Sequence, residues 1–157
     1  MRLRRPQPLF ERLGDGSFAV RIGTDERSVL ASLAEQLRAL VTDGQDGGLR
    51  RLTPPAYTDD PDAEAEYRRM VGDDLTAARL ARIDTFTATV RQEKVTESEL
   101  AGWMGTLNDL RLVIGTNLDV GEETSYEDFE DDETVGAYGI YDYLSGLVAL
   151  IVDVFEE

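Results

Sequence analysis

The chain of 157 residues contains no cysteine and no histidine. Their absence excludes disulfide bonds, thiolate nucleophiles, ordinary zinc sites and the usual general base near neutral pH. The glycine-rich stretch GDGS at 14–17 lacks the lysine that ends a phosphate-binding loop and reads as a hairpin turn. We therefore expect a non-enzymatic protein, with no catalytic residues, no cofactor and no metal site.

Basic residues are scarce. The chain has 16 Lys and Arg against 32 Asp and Glu, which gives a net charge of −16. A surface of this sign repels a phosphate backbone and attracts a basic partner. We expect a protein partner and no nucleic acid.

Long apolar runs are also missing. The longest, LSGLVALIV at 144–152, is far shorter than the roughly 20 residues that span a bilayer. The N-terminal MRLRRPQPLF carries positive charge without the apolar run of a secretory signal. The simplest expectation is a cytoplasmic protein that binds no membrane.

The apolar content of 41% indicates a globular chain of one domain over 1–157. Alternating residues on both sides of GDG predict a β-hairpin over 10–22. Apolar residues at helical spacing predict helices over 25–42, 61–92 and 97–118. Asp60 and Pro61 mark the start of the second helix, and Thr96 with Glu99 forms a capping box before the third.

The last third of the chain divides into an acidic linker over 119–133 and an apolar segment over 134–155. Glycine and β-branched residues allow a strand in that segment, but its length favours a helix. It is apolar on nearly every side, so we expect it in the core or, as second choice, in a homodimer interface. The prediction is a mainly α fold: a small bundle of about four helices with an N-terminal β-hairpin.

Charged residues interrupt the apolar faces of two predicted helices. Arg111 flanks the apolar arc of the third helix, and Glu64 and Arg82 lie within that of the second, with Arg68 and Arg79 beside it. A buried guanidinium needs acceptors because it does not lose its proton. We therefore predict a polar cluster between these helices, formed by Glu64, Tyr67, Arg68, Arg79, Arg82, Asn108, Asp109 and Arg111.

This predicted cluster has two interpretations. As a structural clamp, it fixes how the two helices meet. As a binding site for a small anion or a partner's carboxylate, it needs at least one arginine without an internal partner. The sequence favours the clamp.

The acidic linker also has two interpretations. It holds eight acids between Glu122 and Glu133, interleaved with Tyr126 and Phe129. The spacing does not match a calcium-binding loop, and nothing in it specifies magnesium. A solvated loop is the common case; the alternative is a docking segment in which Tyr126 and Phe129 contact a basic partner.

The stretches RRLTPPAYTDD, AEAEYRRMVGDDLTAARL and WMGTLNDLRLVIGTNLDV, followed by an acidic link and YDYL, resemble the actinobacterial domain of unknown function family 2017. The resemblance covers nearly the whole chain. It implies an uncharacterised protein, sometimes labelled a transcriptional regulator, whose gene lies beside that of a ClpS-type protease adaptor. A Clp protease-related partner is implied by this resemblance alone, and the family supplies no catalytic residues.

Together these observations predict a cytoplasmic, non-enzymatic regulatory or adaptor protein that binds another protein. The alternatives are a transcriptional regulator, which the charge balance disfavours, and a small-anion or metabolite binder that uses the arginine cluster.

Overall fold

The computed structural model describes residues 5–43 and 60–157, apart from the side chains at 64 and 67–73. Within these ranges the protein is mainly helical, with a small antiparallel sheet near the N-terminus. The predicted fold class, a small helical bundle with an N-terminal hairpin, is therefore confirmed. The segment 49–61 contains three prolines, which predict a loop; it lies almost entirely outside the described residues.

The sheet has three strands in the order β1 (Phe10–Arg12), β2 (Phe18–Val20) and β3 (Lys94–Val95). The first two form the predicted hairpin, with Gly16 at φ 86° in its turn, a conformation that glycine adopts at little steric cost. The third pairs antiparallel with β2. Sequence periodicity does not predict β3, because two residues are too few to show alternation.

The described residues contain four α-helices: α1 (Thr24–Asp43), α2 (Pro61–Thr89), α3 (Glu97–Asn117) and α4 (Asp132–Glu156). The second ends at Thr89 and not at 92, since the chain turns there into β3. The fourth begins at Asp132 and not at 134, because the Asp131 carboxylate accepts a hydrogen bond from Thr134 N at 2.8 Å and caps it.

The caps predicted for α2 and α3 are confirmed. Asp60 Oδ1 accepts from Ala63 N at 3.2 Å ahead of the proline that opens α2. At α3 the Thr96 hydroxyl accepts from Glu99 N at 3.1 Å, and the Glu99 carboxylate accepts from Thr96 N at 2.9 Å. The capping box thus fixes the α3 end of the 89–97 connection, directly after β3.

Trp103 lies at the centre of the core and is fully buried. Its ring meets Phe86 of α2 edge-on at 4.8 Å and Phe10 of β1 at 6.4 Å. Its Nε1 donates to the Thr89 hydroxyl at 2.7 Å, so the polar atom of the indole is satisfied inside the core. The helix α3 therefore joins α2 and the sheet through one side chain.

Candidate functional site

The described part of the predicted polar cluster is built around Asp109, which is buried. Arg82 of α2 donates from Nη2 to Asp109 Oδ2 at 3.1 Å. Burial raises the pKa of Asp109, and the charges of Arg82 and Arg79 oppose that rise. Burial also lowers the pKa of Arg79, which Asp109 in turn opposes. These three side chains form one coupled group that joins α2 to α3.

Two glycines of α3 let α2 approach closely at this group. A Cβ added to Gly105 would lie 2.9 Å from Cδ and Nε of Arg82, and one added to Gly102 would lie 3.2 Å from Cγ2 of Thr85. Arg82 Nε is buried without a hydrogen-bond partner in the part of the chain that the structure describes. This close approach of α2 and α3 supports a clamp between the two helices.

Arg111 makes a separate, local contact. Its Nε donates to Asn108 Oδ1 at 3.0 Å, one turn earlier on the same helix. Within 5–43, 60–63, 65–66 and 74–157, no carboxylate forms an ion pair with Arg111. The side chains of Glu64, Tyr67 and Arg68 lie outside the described residues. The structure thus brings together Arg79, Arg82 and Asp109 and places Asn108 with Arg111 beside them.

The acidic linker is folded against the start of α4. A 3-10 turn spans Tyr126–Asp128, and the rings of Tyr126 and Phe129 contact Tyr138 at 4.7 and 5.0 Å. The Tyr138 hydroxyl donates to Thr124 O at 3.1 Å. Both aromatic residues predicted to dock a partner therefore make contacts within the chain, although Tyr126 stays 48% exposed.

Arg27 is a buried cation that sequence reasoning missed. Its guanidinium donates four hydrogen bonds of 2.7–2.8 Å, all to backbone carbonyl oxygens, those of Val20, Ile22, Val90 and Gln92. Burial lowers the pKa of Arg27. The residue heads the buried stripe of α1, which continues through Leu30, Ala34, Leu37 and Val41. The helical-wheel test was used for the predicted second and third helices. Applied to α1, the same test identifies Arg27, because this charged residue also lies on an apolar arc.

A pocket of about 580 Å³ lies beside Arg27. Arg21 and Arg91 also line it, together with Thr24 at the start of α1. Among the described residues, Glu93 is the one acid in its lining. Arg21 is paired with Glu11 at 2.7 Å. The pocket is thus a locally basic feature on an acidic protein.

A second depression lies between α1 and α4, and we call it the α1–α4 groove. It has a volume of about 440 Å³ and is lined by Asp25, Glu26, Val29, Gly136, Gly139, Ile140 and Tyr143. The Tyr143 hydroxyl donates to Glu26 Oε2 at 2.5 Å and connects the two helices there. Burial and this carboxylate raise the pKa of Tyr143. Val29 is 52% exposed in the groove.

The chain matches a family model over residues 4–155. The chain belongs to the family described as a domain of unknown function, DUF2017. No curated protein and no solved structure matches it.

In this DUF2017 member, the stretch 103–120, one of those that carried the resemblance, supplies most of α3. It contributes the core residue Trp103 and the clamp residue Asp109, and also Gly115, where an added Cβ would lie 2.8 Å from Cε2 of Tyr141 on α4. The stretch therefore contacts both neighbouring helices.

Among the described residues, no group of three or more acids is arranged to hold a metal ion.

Proposed function

We propose that this protein is a non-enzymatic regulatory or adaptor protein of the cytoplasm that acts by binding another protein. The observation that carries the proposal is the apolar surface left uncovered on α1 and α4. Val29 of α1 is 52% exposed, and Leu150 and Val152 of α4 are 42% and 38% exposed. Apolar side chains left exposed on these two helices support contact with another molecule.

Helix α4 shows most clearly how much surface remains. It contains an 18-residue window of mean hydropathy 1.5, of which 22% is buried within the chain. By length and composition alone this helix is long and apolar enough to cross a membrane, a test that core helices of soluble proteins also pass. Its packing on α3 through Tyr141 and Gly115, and the acids Asp142 and Asp153 along it, support a protein-covered helix.

The net charge of −16 limits what kind of partner fits. A second copy of the chain and a nucleic acid are both negatively charged, so each would be repelled. A basic protein surface is therefore the better match. A Clp protease-related protein, which the family resemblance implies, is the specific candidate. The transcriptional regulator remains the alternative, but it requires a basic recognition surface.

The proposal is tested by affinity capture from a native lysate with three variants. Val29→Asp and Leu150→Asp place a charge in the exposed apolar surface, and Leu75→Asp, at a 39% exposed position of α2, is the matched control. A stoichiometric partner should be retained by the wild type and the control and lost with the first two. Recovery of no partner other than the chain itself would count against protein binding.

A second candidate function is small-anion binding, and the pocket beside Arg27 is the observation that favours it. Arg21, Arg27 and Arg91 line this pocket, away from the Arg82–Asp109 clamp. Inorganic phosphate or citrate at millimolar concentration should raise the melting temperature if the pocket binds them. The rise should disappear in Arg91→Gln; no rise for either anion rejects this candidate.

A further inference from the structure

We propose that the α1–α4 groove binds a short amphipathic helix of the partner whose apolar face is edged by lysine or arginine. This inference rests on the proposed function and names both the site and the chemistry of the partner. The groove has a volume of about 440 Å³ and lies between two helices. Helices that dock in grooves use apolar anchors spaced three and four residues apart.

The floor of the groove is shaped by two glycines of α4. A Cβ built on Gly136 has no atom within 4 Å, and one built on Gly139 meets only the Tyr126 hydroxyl, at 3.7 Å. Glycine in a helix interior lowers helix stability by about 1 kcal/mol relative to alanine. At Gly136, no described atom lies close enough to require a residue without a Cβ. The two glycines leave the backbone of α4 bare, so that a partner helix can approach closely.

The sides of the groove combine apolar contact with negative charge. Val29 and Ile140 supply the apolar surface, while Asp25 and Glu26 stand in the first turn of α1. Asp132 lies one turn before Gly136 on the same face of α4. An apolar strip edged by carboxylates on both helices is complementary to an apolar strip edged by cations.

This charge pattern selects among the occupants of the groove. A second copy of the chain would place its own acidic edges against these ones, which like-charge repulsion opposes. An acidic helix is disfavoured for the same reason. A basic amphipathic helix satisfies both the apolar lining and the acidic edges.

The test measures binding of the full chain to a synthetic amphipathic helical peptide of leucine and lysine, with a leucine and glutamate peptide of the same pattern as comparison. Gly136→Leu fills the groove at a position where a side chain meets nothing. The matched control is Gly146→Leu, at an equally open glycine of α4 that does not line the groove. The thermal unfolding of both variants is followed through the fluorescence of Trp103.

We expect the lysine peptide to bind the wild type and Gly146→Leu equally, and Gly136→Leu at least tenfold more weakly, with melting temperatures not below that of the wild type. Glu26→Gln should weaken binding and reduce its dependence on salt. The glutamate peptide should not bind. Equal affinity of the lysine peptide for both leucine variants, or no binding to the wild type, overturns the inference.

The same variants separate this inference from the proposed function. If the two groove variants, Gly136→Leu and Val29→Asp, still capture the native partner while Leu150→Asp does not, then protein binding stands and the groove is the wrong site. If the lysine peptide binds in the groove but no native partner is captured with the wild type, the proposed function fails instead.

Discussion

Arg27 of α1 donates a hydrogen bond from Nη1 to the backbone carbonyl oxygen of Val90, just after the end of α2, at 2.7 Å. The same guanidinium nitrogen also reaches Gln92 O at 2.7 Å. One buried side chain therefore holds the turn between α2 and β3 against the first helix. All four acceptors are carbonyls, so backbone dipoles stabilise the cation, and the charge of Glu93 also favours it.

Arg27→Met should lower the free energy of unfolding by about 3 kcal/mol or more, because several buried carbonyl oxygens lose their donor. Chemical denaturation followed by Trp103 fluorescence measures this loss. The matched control is Arg91→Met, at an exposed arginine of the same region, which should change stability by about 0.5 kcal/mol or less. Equal effects of the two substitutions would show that the Arg27 contacts do not stabilise the fold.

Arg82→Met should destabilise the protein by about 2–3 kcal/mol, because it leaves Asp109 buried without its hydrogen-bonded cation. Arg111→Met should cost about 1 kcal/mol or less, since the described contact of Arg111 is a hydrogen bond to Asn108 on its own helix. Denaturant unfolding of both variants compares them directly. If Arg111→Met lowers the free energy of unfolding more than Arg82→Met does, the ion pair of Arg82 with Asp109 is not the main stabilising contact of this cluster.

Gly115→Ala should destabilise α3–α4 packing because its Cβ would lie 2.8 Å from the Tyr141 ring. Overpacking costs about 1–3 kcal/mol, which outweighs the roughly 1 kcal/mol that alanine gains over glycine in a helix. Gly136→Ala, at an open position, should instead stabilise the protein. In a Tyr141→Ala background, Gly115→Ala should stabilise the protein. If Gly115→Ala still lowers stability in that background, the cause is not a steric clash with Tyr141.

Asp109→Asn should reveal the raised pKa of the buried carboxyl group. The folded state binds a proton here more tightly than the unfolded chain, so the contribution of Asp109 to stability decreases as pH rises. It is complete below the ordinary value of 3.8 and is lost as pH rises through the raised value. The wild type should therefore gain stability relative to Asp109→Asn as pH falls through this window. A pH-independent difference in unfolding free energy would contradict the raised pKa.

Local signals predicted the helices well, because caps and apolar spacing depend on neighbouring residues. Asp60, Thr96 and Glu99 mark helix starts in the sequence and occupy those roles in the structure. The charge on an apolar arc likewise pointed to Arg82, and Asp109, predicted as a member of the same polar cluster, is its ion-pair partner on the next helix. A cap signal lies within one helix turn and an apolar arc lies along one helix, so both can be identified from a single element.

The features missed by the sequence analysis depend on contacts between distant segments. Strand β3 forms because Val95 pairs with Phe18 of β2. The α1–α4 groove forms because Tyr143 of α4 is hydrogen-bonded to Glu26 of α1. Tyr126 and Phe129 looked free for a partner because nothing local places Tyr138 beneath them. Periodicity describes which face of an element is buried, but it does not name the element that covers that face.

The most direct test of the central claim is a nitrogen-15 NMR titration of the full chain with the leucine and lysine peptide. Amide shifts should be largest at Val29, Gly136 and Gly139 and should show saturable, one-to-one binding. Shifts centred on the acidic segment 119–131, with those three amides unchanged, would contradict a binding site in the α1–α4 groove.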